Sequence, residues 1–127
     1  MQKNQLFEYA IIRVVPKVER EEFLNVGVVL FCASRKFLKV LDHLDEKRIL
    51  SLDKQVDMDE IRSHLAAFEL ICTGGPGSGE IGKLPLAERF RWLTASRSTV
   101  VQSSKVHPGF CTNPDVMLEK LYQEMVL

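Results

Sequence analysis

The run Asn25-Val26-Gly27-Val28-Val29-Leu30-Phe31-Cys32 constrains the fold more than any other segment of the chain. Successive side chains of a β-strand point to opposite faces, and here both sets are apolar, so a strand made of these residues needs cover on two sides. That predicts a central strand. Upstream, Phe7 to Val15 alternates, with Phe7, Tyr9, Ile11, Arg13 and Val15 on one face and Glu8, Ala10, Ile12 and Val14 on the other, and Pro16 ends it. Downstream, Ser34-Arg35-Lys36 reverses the chain into Phe37-Leu38-Lys39-Val40-Leu41. The three segments read as an antiparallel meander.

Beyond the meander the apolar period changes from two residues to about four, the helical spacing. Asp45 to Leu52 reads as a short helix. Asp57 to Cys72 reads as a longer one, with Asp57 and Glu60 placed as a capping pair, Met58, Ile61, Leu65 and Phe68 on one stripe, and Gly74-Gly75 as the stop. Pro85 fits the first turn of a third helix whose Leu86, Phe90 and Leu93 face inward. Ser98 to Ser103 returns to strand character. Asn113-Pro114 is an N-cap followed by proline at the first helical position, opening a last helix with Leu118, Leu121, Tyr122 and Met125 inward. The expectation is an α+β fold: a small antiparallel sheet, made of the N-terminal three-strand meander plus a late strand, with three to four helices covering one face.

The 127 residues suffice for one domain, residues 1–127, with one hydrophobic core and no staples. Seventeen Lys and Arg balance seventeen Asp and Glu, which argues against a nucleic-acid partner held mainly through phosphates. The N-terminus carries no signal-peptide pattern, and the longest apolar run, Val26 to Ala33, falls far short of a membrane span of ~20 residues. Cys32, Cys72 and Cys111 are odd in number and widely spaced, as reduced thiols in a cytoplasm would be, and they form no zinc pattern. The expectation is a cytoplasmic protein with no metal and no cofactor.

One segment matches phosphate-binding motifs. Gly77-Ser78-Gly79-Glu80-Ile81-Gly82 fits G-x-G-x-x-G and, with Lys83, the start of a P-loop. The P-loop hydroxyl is replaced by Leu84, Pro85 follows, and a helix rather than a strand leads in, so residues 73–83 read as a flexible glycine-rich loop. His107 and Cys111 are four apart around Pro108-Gly109, a pair for which folding could build a nucleophile and base, or an inert thiol near a loop histidine.

Two polar constellations remain. Arg13 interrupts an apolar strand face, and Glu19, Arg20, Glu22 and Asn25 lie in the connection to the next strand; folded back, they would form either a polar site or an ion-pair network bracing the crossover. Arg97-Ser98-Thr99, with Gln102 and His107 further on and Trp92 upstream, could hold an anion or serve only as strand-forming and solvated residues. Pairing of the late strand with the first or second would bring Arg97 to the same end of the sheet as Arg13, Glu22 and Asn25, with Glu22 partnering Arg13.

The segments Tyr9-Ala10-Ile11-Ile12-Arg13-Val14-Val15-Pro16, Glu19-Arg20-Glu21-Glu22-Phe23-Leu24-Asn25-Val26-Gly27-Val28-Val29-Leu30, Glu88-Arg89-Phe90-Arg91-Trp92-Leu93 and Arg97-Ser98-Thr99-Val100-Val101-Gln102 together resemble the bacterial domain-of-unknown-function family 3037. The resemblance brings no activity and no catalytic residue. It implies a small stand-alone bacterial protein whose gene neighbours those of HipA-like kinases. Two functions follow as expectations: an interaction module, partner of a HipA-like kinase or homo-oligomer, or a small hydrolase or transferase with Glu22 or Glu19 as base and Arg13, Arg97 and His107 holding an anionic substrate.

Overall fold

The computed structural model of the protein describes residues 4–97 and 99–127. Strands β1 (Gln5–Val14), β2 (Leu24–Cys32) and β3 (Phe37–Asp42) form the expected antiparallel meander. Helices α1 (Glu46–Leu52), α2 (Met58–Thr73) and α3 (Leu86–Leu93) follow, then β4 (Val101–Ser103), β5 (His107–Cys111) and α4 (Pro114–Met125). The sheet order is β3-β2-β1, with β4 and β5 sharing the second edge of β1: β4 pairs with Ile12 to Val14 and β5 with Gln5 to Tyr9.

The helix ends obey local chemistry. Asp45, Asp57 and Asn113 each accept hydrogen bonds from backbone amides of the first turns of α1, α2 and α4, and Gly74 ends α2 in the left-handed conformation at φ 71°. Pro85 precedes α3 rather than sitting inside its first turn.

Two features differ from the sequence reading. The late strand expected over Ser98 to Ser103 is shorter, Val101–Ser103, and a further strand, β5, follows it; at the end of β4 the ladder gives way to Ser104, whose Oγ accepts from Ile11 N–H at 2.8 Å and whose N–H donates to Ile11 O at 2.8 Å. The helices also cover both faces, not one. Ala10, Ile12, Val14, Val26, Val29 and Phe31 pack against α1–α3, while Phe7, Ile11, Val28, Leu30 and Cys32 pack against α4. The two-sided apolar character of β2 requires this, since a helix layer on one face alone would leave Val28 and Leu30 in water.

A bulge positions the polar residues. Ile12 pairs with Gly27 but Arg13 pairs with Asn25, so β2 carries Val26 as an extra residue. Val26 joins the α1–α3 core, and the polar Asn25 takes the place beside Arg13.

Candidate functional site

The bulge and the β4 register align Asn25, Arg13 and Gln102 in one row across β2, β1 and β4, on the α4 side of the sheet. The Arg13 guanidinium lies 4.1 Å from the centroid of Phe23, and its Nε is buried with no hydrogen-bond partner. Asn25 Nδ2 donates to Met125 O at 3.2 Å near the end of α4, while its Oδ1 is buried without a partner. Gln102 Nε2 donates to Thr99 O at 2.9 Å.

The expected Arg13–Glu22 pair is not formed. The connection makes a 3-10 turn over Val18–Arg20 with Glu21 left-handed at φ 56°, which folds it on itself so that Arg20 Nε meets Glu22 Oε1 at 2.7 Å. Phe23 then covers the guanidinium in place of a carboxylate. Glu19 is exposed in the same turn.

Arg97 lies on the opposite side of the sheet, in a cleft of about 430 Å³ between α2 and α3. Its guanidinium stacks 4.2 Å over Trp92, is 5.6 Å from the Phe68 centroid, and donates through Nη2 to Trp92 O. Burial lowers its pKa, yet an arginine stays cationic at neutral pH. Thr99 also lines the cleft, its hydroxyl donating to Val101 O at 2.7 Å, and so does His64, with Nε2 3.9 Å from Glu60 Oε1. Ser98 lies outside the described residues. Because Phe68 belongs to the α1–α3 core while Asn25 bonds to α4, Arg97 and Arg13 occupy separate places rather than one site.

His107 sits opposite Tyr9 on β5, with ring centroids 5.3 Å apart. It forms no couple with Cys111: four residues along one strand separate them by roughly 13 Å. All three thiols are buried. Burial pushes Cys72 up to about 12 against the opposing charge of Arg89, and raises Cys111 as well, so neither is a thiolate at neutral pH.

The glycine loop has a conformational explanation. A Cβ on Gly82 would collide with the Ser78 side chain, and Lys83 pairs with Glu80 at 3.1 Å on the surface. Arg89 of α3 ties the loop's ends together, donating to Ile71 O, Cys72 O and Leu84 O.

One surface feature carries no polar signature in the sequence. Leu6 and Phe110 are register partners on β1 and β5, and they are 55% and 67% exposed. Beside them the sheet edge is partly closed to strand addition. Ile11 directs its N–H and C=O toward Ser104, so odd residues of β1 bond toward β4 and β5; Pro108, opposite Glu8, therefore faces the open edge with no N–H to offer. Starting the strand at Phe7 hid Leu6, and reading Pro108-Gly109 as a loop hid Phe110.

Among the described residues these features define a small three-layered α+β domain, an antiparallel sheet held between α1–α3 on one face and α4 on the other. Among the described residues no helix is long and apolar enough to cross a membrane. The chain belongs to the family whose model is described as "Protein of unknown function (DUF3037)", which matches residues 9–126. No curated protein and no solved structure matches it.

Proposed function

We propose that the protein is a bacterial, cytoplasmic accessory module that docks a partner protein through the sheet end bearing Leu6 and Phe110. The carrying observation is the exposure of this cross-strand pair: two large apolar side chains, adjacent and uncovered, supply the kind of anchor around which a binding hot spot forms. Pro108 at the edge favours packing on the face over addition of a strand. The resemblance at sequence level makes a HipA-like kinase the partner to test. The hydrolase or transferase alternative loses support from the separation of Arg13 and Arg97 and from the engagement of Glu22 by Arg20.

The test is co-expression with a HipA-like kinase, followed by affinity capture and light scattering, for the wild type and for Leu6→Asp and Phe110→Asp. The expected result is a stoichiometric complex lost in both variants while their thermal melts stay cooperative. A homodimer lost in the same variants would keep the surface and replace the kinase by a second copy. Folded variants that bind as the wild type does would refute the surface.

A further inference from the structure

The α2–α3 cleft is independent of that surface and has its own chemistry. Its walls are apolar and aromatic, from Ala67 and Phe68 of α2 and Trp92 of α3. Its polar groups are the Ser63 and Thr99 hydroxyls, the His64 imidazole and the Arg97 guanidinium. No carboxylate lines it among the described residues, and Arg97 has no ion-pair partner among them; Glu60 stands beside His64. Of the five N–H donors of Arg97, the described bonds use one direction, toward Trp92 O. At about 430 Å³ the cleft is in the range of small-molecule sites, roughly 300–1,000 Å³.

We propose that this cleft binds a small monoanion carrying a flat apolar body, an aromatic carboxylate, with Arg97 holding the carboxylate and Phe68, Trp92 and Ala67 holding the ring. Charge selects the class. A single unopposed guanidinium, without a lysine or second arginine beside it, matches one negative charge better than the two of a phosphate monoester, and its planar fork fits a carboxylate through parallel hydrogen bonds. The apolar walls select the body, because a ring laid against Trp92, which is 38% exposed, removes apolar surface from water on both partners. Stacking on Trp92 also fixes the guanidinium before the ligand arrives, so little side-chain freedom is lost on binding.

Trp92 is the sole tryptophan of the chain, so its fluorescence reports the cleft directly. Hydrocinnamate titrated into the full chain should give a saturable change, while hydrocinnamamide, which keeps the ring and loses the charge, should bind at least about tenfold more weakly. Acetate, which keeps the charge and loses the ring, should give no saturation. Arg97→Gln should weaken hydrocinnamate at least about tenfold with a cooperative melt retained. Ala67→Leu, which narrows the cleft and leaves Arg97 in place, should weaken it too, and it decides the matter if Arg97→Gln fails to fold. Equal binding of acid and amide, unchanged binding in either folded variant, or no saturation by the wild type up to about 10 mM would overturn the proposal.

Discussion

The guanidinium of Arg89 occupies the space into which any side chain on Gly74 would have to project: a Cβ there would lie 2.6 Å from Arg89 Nη1. Gly74 ends α2 in the left-handed conformation, and the same guanidinium accepts the task of binding the helix's last carbonyls, at 3.0 Å to Ile71 O and 3.2 Å to Cys72 O. Arginine on α3 thus caps α2, placing a positive charge where the helix dipole is negative. Arg89→Ala should lower the unfolding free energy by about 2–4 kcal/mol, read from urea denaturation, because it strips several charge-assisted bonds at once. A loss under about 0.5 kcal/mol would show that water replaces them.

Val28 and Leu30 have no exposed surface and face α4 from β2. An aspartate at either position would bury a carboxylate without a partner, at a cost of several kcal/mol against a total stability of roughly 5–15 kcal/mol. Val28→Asp and Leu30→Asp should each abolish the cooperative thermal transition. Two well-folded variants by circular dichroism and melting would contradict the two-sided core.

Asp42 predicts how stability responds to pH. Burial first, then the neighbouring charge of Glu69 and a hydrogen bond to it, raise the Asp42 pKa from 3.8 to about 7. Its Oδ2 is buried without a partner, so nothing offsets the cost of holding a charge there. Between pH 3.8 and about 7 the folded protein holds a proton that the unfolded chain has released, so this group makes stability fall as pH rises through that window and level off above it. Asp42→Asn should raise stability at pH 8 by about 1–2 kcal/mol, the full shift being reduced by solvent screening of a half-buried group. A variant no more stable than wild type at pH 8, but equal to it at pH 4, would contradict the shift.

Arg13 and Phe23 should show coupling that Arg13 and Glu22 lack. The guanidinium stands 4.1 Å over the Phe23 ring, whereas Glu22 pairs with Arg20. A double-mutant cycle on Arg13→Ala and Phe23→Ala should return about 0.5–1 kcal/mol, and the cycle with Glu22→Ala a value near zero. The reverse ranking would restore the ion pair that strand alternation suggested.

Lys83 should be dispensable. Its pairing with Glu80 is exposed on both sides, and such pairs contribute about 0–1 kcal/mol. Lys83→Ala should melt within a degree or two of wild type by the usual size scaling, and ATP with magnesium should leave both melts unchanged. An ATP-dependent rise in melting temperature, lost in Lys83→Ala, would make the glycine loop a nucleotide site.

Local chemistry alone determined a good part of this protein. The alternation of Phe7 to Val15, the caps at Asp57 and Asn113, Pro114 after its cap and Gly74 at the end of α2 each act within a few residues, so the sequence displays them directly. The α+β class was legible for the same reason, while the family resemblance rested on contiguous segments such as Tyr9 to Pro16 and Glu88 to Leu93. The tertiary structure decided the rest. Val26 bulges because its side chain gains burial with α1–α3, and only that long-range gain puts Asn25 beside Arg13. Arg97 stays on the far side of the sheet because its guanidinium lies between Trp92, five residues upstream, and Phe68 of α2, which is remote in sequence. Arg89 caps a helix seventeen and eighteen residues upstream, and β5 forms although Pro108-Gly109 opposes strand, because β1 offers an unpaired edge. Such choices are set by which surfaces meet in three dimensions, and local propensity yields to the burial and hydrogen bonding gained there.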